Sequence, residues 1–164
     1  MRRRGQNYVE DYFAGAYDPA VTPIVVEQPF TIPITAAGRT LNIGGKIDRV
    51  DELSGGRIEI IDYKTGRVPS KREMDTSLQL SIYAIAATEA AAPPFGKKPE
   101  DVILSLYYFD VQQKISTSRT QEQLTAEKEK IVGIARDIEA SDFRCSGSQW
   151  CASCEYQLFC GLMG

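Results

Sequence analysis

The chain has 164 residues, 43% hydrophobic and 25% charged, with a formal net charge of −3. That is enough chain for one hydrophobic core at ordinary globular composition, and the charge argues against a uniformly basic nucleic-acid binder. There is no histidine, so any mechanism built on an imidazole base or a Ser-His pair is excluded.

The N-terminal Met1-Arg2-Arg3-Arg4 has the charge of a signal-peptide start but no apolar segment behind it. No run approaches membrane-spanning length. A cytoplasmic protein with no membrane partner is the default expectation. Tyr8 to Phe13 reads as the end of a helix closed by Asp18-Pro19. Val25 to Ile34 is β-rich, and its prolines predict an edge or bulged strand. After a turn at Ala37-Gly38-Arg39, the residues Leu41, Ile43, Gly45 and Ile47 alternate with polar or small ones, the period of a two-faced strand. Ser54-Gly55-Gly56 marks a turn, and Arg57 to Tyr63 is a third strand, apolar enough to be central. Thr65 to Ser70 is a loop. About Lys71 to Ala91 reads as one helix, ended by Ala92-Pro93-Pro94-Phe95-Gly96. Val102 to Phe109 is a fourth strand, and Lys114 to Ser118 pairs back as a fifth. Thr120 to Ala140 is a charged amphipathic helix with Leu124, Ile131, Ile134 and Ile138 as its apolar stripe. This order predicts an α/β fold: a central mixed β-sheet flanked by helices.

Asp62 and Lys64 stand two apart on one strand and share a face. A hairpin symmetric about Gly55 sets Asp48 opposite Asp62 on that face. Opposed carboxylates repel, and a cation between them relieves the repulsion. Oxygen ligands suit Mg²⁺ or Mn²⁺, which activate water against a phosphodiester. Lys64 would then stabilise charge on phosphate or position the water. A surface salt-bridge ladder of the same three residues is the bland alternative. Arg67, Lys71 and Arg72 border the site and either hold DNA phosphates or form a solvated loop. All four cysteines, Cys145, Cys151, Cys154 and Cys160, lie near the C-terminus. Clustered thiols without an export signal read as ligands for a metal or cluster rather than as disulfides.

The elements Gly44-Gly45-Lys46-Ile47-Asp48-Arg49-Val50-Asp51, Ile61-Asp62-Tyr63-Lys64-Thr65-Gly66 and Gln79-Leu80-Ser81-Ile82-Tyr83 resemble the PD-(D/E)XK nuclease superfamily, in its RecB/AddB-like branch. The resemblance covers about Ile24 to Cys160. It implies a restriction-endonuclease-like core with Asp48, Asp62 and Lys64 as a metal-dependent active site, and the Tyr63 carbonyl as a further metal ligand. It adds Gln79 and Tyr83, four apart on one helix face, reaching toward DNA and the active site. Glu27 matches a glutamate of this branch and is a further metal-ligand candidate. Cys151-x₂-Cys154-x₅-Cys160 matches the C-terminal triplet of the iron–sulfur members. Their fourth cysteine lies upstream, so either Cys145 serves here or the ligand is outside this chain. The expectation is a [4Fe–4S] cluster, with a structural Cys₄ Zn²⁺ site as rival. Trp150, Tyr156 and Phe159 would pack around it.

The domain expectation is one RecB-like nuclease domain over 1–164, with an N-terminal helical remnant at 1–23, the nuclease sheet and helix at 24–118, a helix at 119–144 and the cysteine segment at 145–164. The implied activity is metal-dependent hydrolysis of DNA, by analogy from an end, in repair or recombination beside a helicase subunit or domain. Many members carry a histidine on an N-terminal helix. Its absence here implies a fragment of a larger helicase–nuclease or a divergent member. The rival functions are a catalytically silent nuclease-like DNA-binding or scaffolding module, and a metal-stapled interaction domain that docks on a helicase.

Overall fold

The computed structural model describes residues 2–141, 149 and 151–155. It divides the chain into two units, Met1–Val132 and Gly133–Gly164. The first unit holds a sheet of five strands: β1 (Pro23–Ala36), β2 (Arg39–Glu52), β3 (Ile58–Lys64), β4 (Val102–Tyr108) and β5 (Gln113–Thr117). They lie in the order β1-β2-β3-β4-β5. Every neighbouring pair is antiparallel except β3 and β4, which run parallel. The mixed sheet expected from the sequence is therefore present.

Local chemistry explains the strand ends. Pro23, Pro29 and Pro33 all fall in β1, at the edge of the sheet, where a missing N–H is tolerated. The turn into β2 places Ala37 at φ 49° and Gly38 at φ 73°, a left-handed pair whose twist matches that of the flanking strands. β3 is buried from Ile58 to Asp62, as befits a strand with neighbours on both sides. The β2–β3 register pairs Arg49 with Ile61 and Val50 with Ile60, the register predicted from the hairpin.

A parallel β3–β4 pair requires a crossover, supplied by α2 (Lys71–Asp75) and α3 (Leu78–Glu89). The single helix expected over Lys71–Ala91 is in fact broken at Thr76-Ser77. Ser70 and Glu73 form a capping box that starts α2, and Ser77 starts α3 by accepting from the Leu80 N–H. At the break the Met74 carbonyl accepts from the Ser77 N–H at 3.3 Å and the Ser77 carbonyl from the Ser81 N–H at 3.0 Å. Arg119, only 4% exposed, donates to the Met74 and Ser77 carbonyls and to Ser81 Oγ.

One face of the sheet carries the core. Ile32, Ile34, Val50, Ile58, Ile60, Val102 and Leu104 pack with Leu80, Ala84 and Ile85 of α3 and with Leu124 and Ile131 of α4 (Gln121–Ala140). Burying such side chains contributes roughly 1.5–3 kcal/mol each before entropy is counted. Of the predicted α4 stripe, Leu124 and Ile131 are buried, whereas Ile134 and Ile138 are exposed.

The opposite face is covered by α1 (Arg2–Gly15), a longer helix than the sequence suggested. Its Tyr12 meets Tyr63, Tyr107 and Phe109 edge-on. Its Tyr8 hydroxyl donates to Asp110, which also accepts from the Gly66 N–H and so ties α1 to the loop after β3. No helix among the described residues is long and apolar enough to cross a membrane.

Candidate metal centre

Asp62 is the centre of the arrangement. It lies near the end of β3 at 3% exposure, on the face that α3 covers. Its Oδ1 accepts from Gln79 Nε2 at 3.0 Å and lies 2.9 Å from the Tyr83 hydroxyl. Its Oδ2 has no aligned hydrogen-bond donor, although Lys64 Nζ approaches it at 2.5 Å as an ion pair. A buried carboxylate oxygen that no aligned donor satisfies has lone pairs to offer a cation.

Gln79 and Tyr83 are successive on one face of α3, and Gln79 Nε2 also donates to the Tyr83 hydroxyl at 2.9 Å. That hydroxyl, with one proton to give, is within reach of the Lys46 carbonyl at 3.1 Å as well as of Asp62. Burial, and after it the bond to Asp62 with its charge, holds Tyr83 well above the ordinary phenol range. The ring therefore stays a neutral donor at any physiological pH.

Asp48 comes from β2. The ladder's last pair is Arg49 with Ile61, so Asp48 stands one step beyond it, toward Asp62. There its Oδ2 accepts from the Tyr63 N–H at 3.0 Å. The backbone bond fixes Asp48 against β3, and its charge contributes to the shift of Tyr83. Lys64 is held at main-chain level, where its carbonyl accepts from the Phe109 N–H at 3.0 Å. The sequence-predicted residues Asp48, Asp62, Tyr63, Lys64, Gln79 and Tyr83 are thus joined in one bonded group.

The remaining candidates are placed differently. Glu27 has a left-handed φ of 54° and pairs with Lys46, and both side chains are more than half exposed. Arg67 forks onto Glu73, and Lys71 pairs with Asp75 at 2.7 Å. These are exposed surface pairs, worth little and readily exchanged for a phosphate. Arg72 is exposed on α2. Cys151 and Cys154 bracket one short turn, with the Cys154 N–H donating to the Cys151 carbonyl at 3.2 Å. Cys145, Cys160, Trp150, Tyr156 and Phe159 lie outside the described residues. Among the described residues no three carboxylates or cysteines converge as a metal set, so Asp48 and Asp62 would need main-chain or water oxygens to complete a hard-cation shell.

Sequence reading missed the supports. Arg119 fixes the α2–α3 junction and hence Gln79, but a lone arginine after a strand carries no signal of burial. Phe30 is another. Its ring tip fills the space above Gly45, where an added Cβ would sit 2.5 Å from Cζ, and its ring meets Tyr83 edge-on at 6.2 Å. The signal available was a glycine in mid-strand, which often marks a close approach.

The family model of the PD-(D/E)XK nuclease superfamily matches residues 1–161. A curated protein of Rickettsia felis, described as an uncharacterized protein, is 32% identical over 84 residues, which are 50% of this chain and 10% of the relative. The crystal structure of SSO0001 superposes with a TM-score of 0.50 at 20% identity, covering 93% of this chain and 65% of that one. The chain thus spans a tenth of the curated relative's length and less than two thirds of the solved structure's, and the likeness to the latter is one of fold.

Proposed function

The chain belongs to the PD-(D/E)XK nuclease superfamily, and on that footing we propose that it hydrolyses DNA phosphodiester bonds with Mg²⁺ or Mn²⁺ held by Asp48, Asp62 and the Tyr63 carbonyl. The observation that carries this reading is the buried Asp62 carboxylate, one oxygen bonded by α3 and the other open toward Lys64. The donor set fits a hard divalent cation, since every candidate ligand is oxygen. When bound, such an ion supplies positive charge to the phosphate and makes a water more acidic.

The chain's own residues do the rest. Gln79 and Tyr83 hold Oδ1, so the free oxygen of Asp62 keeps one direction. Asp48, tied to the Tyr63 N–H, brings a second carboxylate to the same place. Lys64, a third exposed, is the mobile cation. It leaves Oδ2 for the non-bridging oxygen of a bound phosphate, where its charge counts most as negative charge builds in the transition state. Arg67, Lys71 and Arg72 would hold neighbouring phosphates.

The family analogy further supports an exonuclease working beside a helicase in DNA repair or recombination, in the cytoplasm, with Cys145, Cys151, Cys154 and Cys160 around a structural [4Fe–4S] cluster. Anaerobic protein should then be brown, and colourless protein with stoichiometric Zn²⁺ would replace the cluster by zinc. The deciding experiment is cleavage of end-labelled linear and closed circular DNA with and without Mn²⁺. Mn²⁺-dependent loss of the linear form alone supports an exonuclease, and loss of both an endonuclease. DNA binding without cleavage would favour the second reading, a silent nuclease-like module. The absence of a third converging carboxylate among the described residues is the observation in that reading's favour.

A further inference from the structure

Beside Asp62 lies a cavity of about 480 Å³ that the chemistry above does not use. Its walls are Phe30 and Gly45 on the β1–β2 hairpin and Leu78 and Ile82 on α3, and it shares Gln79 and Tyr83 with the carboxylate site. The two residues that hold Asp62 Oδ1 therefore also form one side of this cavity.

Its chemistry is specific. Phe30 and Gly45 are directly paired across the hairpin. The missing Cβ of Gly45 lets the Phe30 ring tip sit over the backbone, since a Cβ there would lie 2.5 Å and 2.8 Å from two ring carbons. The ring is half-buried, and among the described residues its aromatic contact is with Tyr83, edge-on with 77° between planes. Leu78 and Ile82 stand four apart on α3 and give an aliphatic second wall. Among the described residues the one ionic side chain in the lining is Lys46, 55% exposed and engaged with the similarly exposed Glu27. An exposed pair of that kind opens at little cost, which leaves an ammonium beside the cavity for a phosphate.

We propose that this cavity is a subsite for one unstacked nucleobase of the strand being cut, with the Phe30 ring as its stacking platform and Lys46 on an adjoining phosphate. The inference rests on the nuclease reading of the Asp48–Asp62 site, and it names the substrate class of that site as a strand unpaired at this nucleotide. A planar, uncharged, polarisable group suits an aromatic ring facing an aliphatic wall, and stacking of this kind is indifferent to base identity. A base stacked between neighbours inside a duplex has no face to present to the ring. Phe30 thus acts as a specificity-determining residue.

The test uses single-stranded oligonucleotides with wild type and Phe30→Leu, a substitution that keeps apolar bulk over Gly45, with Phe30→Ala as a second variant. The folded state of each is checked by circular dichroism. In EDTA, the fluorescence of an oligonucleotide carrying 2-aminopurine should rise on binding wild type, as the base leaves its neighbours, and much less on binding Phe30→Leu at equal occupancy. With Mn²⁺, an abasic residue walked along the substrate should raise KM by roughly five- to a hundredfold at one position for wild type, the span expected from losing one base–aromatic stack. In Phe30→Leu that position effect should vanish. Equal KM for abasic and intact substrates at every position, or a position effect that survives in both variants, would overturn the subsite. A Phe30-dependent fluorescence rise without Mn²⁺-dependent cleavage would instead overturn the nuclease reading and leave the subsite standing.

Discussion

Replacing Asp62 by Asn separates the metal from the fold. Asparagine keeps an oxygen for the Gln79 and Tyr83 donors, but turns its NH₂ toward the Lys64 ammonium that now faces Oδ2 at 2.5 Å. In metal-free protein the loss should be about 1–3 kcal/mol, the cost of a buried donor left without an acceptor. The response to Mn²⁺ is more telling. An ion that binds only the folded wild type adds about 2.7 kcal/mol at a hundred times its Kd. For a chain of this size that raises Tm by roughly 5–10 °C. Asp62→Asn should show almost none of this rise, and Asp48→Asn should show it reduced. The measurement is a calorimetric or fluorescence melt across a MnCl₂ titration. If Mn²⁺ lifts Asp62→Asn as far as wild type, the ion binds elsewhere and the site assignment fails.

Three further outcomes are expected. Lys64→Ala should lower Mn²⁺-dependent cleavage by about 10²-fold with DNA affinity nearly unchanged, while Mn²⁺ binding tightens because the competing ammonium is gone; normal cleavage would make Lys64 a bystander. Arg119→Met should cost about 1–3 kcal/mol in urea unfolding, since buried Ser81 Oγ loses its donor while the Met74 and Ser77 carbonyls, which keep the Ser77 and Ser81 N–H groups, lose a second one; a loss within 0.5 kcal/mol (about the scatter for plain surface substitutions) would show that water replaces it. Tyr63 is pushed up to about 12, by burial first and then by its bond to Tyr12, with Arg49 opposing. A folded pKa above the unfolded value of about 10 means its contribution is complete below pH ~10 and is lost as pH rises to ~12. Tyr63→Phe should therefore flatten the alkaline fall of stability over that window, which melts from pH 9 to 12 would detect.

Much of the sheet was legible because its signals are local. Alternation in Leu41–Ile47, the prolines of β1 and the apolar run of β3 each report a strand's surroundings without knowledge of its partners. The hairpin symmetry even gave the β2–β3 register. The helix break at Ser77 was not legible, since a serine within an apolar helical pattern reads as a tolerated residue until the side chain that braces the junction is known, and that side chain is Arg119, 42 residues away. The α1 face was hidden for a similar reason. Tyr8, Tyr12, Tyr63, Tyr107 and Phe109 are scattered in sequence and meet only after the strands pair. In the site itself, residue types and spacing singled out Asp48, Asp62 and Lys64, and the resemblance to the family's motifs added Gln79 and Tyr83. They could not give the division of labour between the two oxygens of Asp62.

That division explains how the protein tolerates the carboxylate. Taking Asp62 to 3% exposure costs several kcal/mol of hydration unless partners replace the lost water. Oδ1 is compensated by uncharged donors on α3, whose position depends on core packing and on Arg119. Oδ2 is compensated by charge alone, from a lysine two residues along the same strand. The neutral contacts are directional, whereas the ionic one is made without an aligned hydrogen bond by a side chain a third exposed. The proposed exchange of the ammonium for a metal ion would need this asymmetry: if both oxygens were locked by aligned donors, no ion could enter, and if neither were, the buried charge would be uncompensated. Asp48 follows the same logic, with one oxygen on the Tyr63 N–H and so anchored to the strand that carries Asp62. Both anchors belong to the sheet and to the core helix rather than to a loop, which keeps the two carboxylates in register whether or not a cation lies between them.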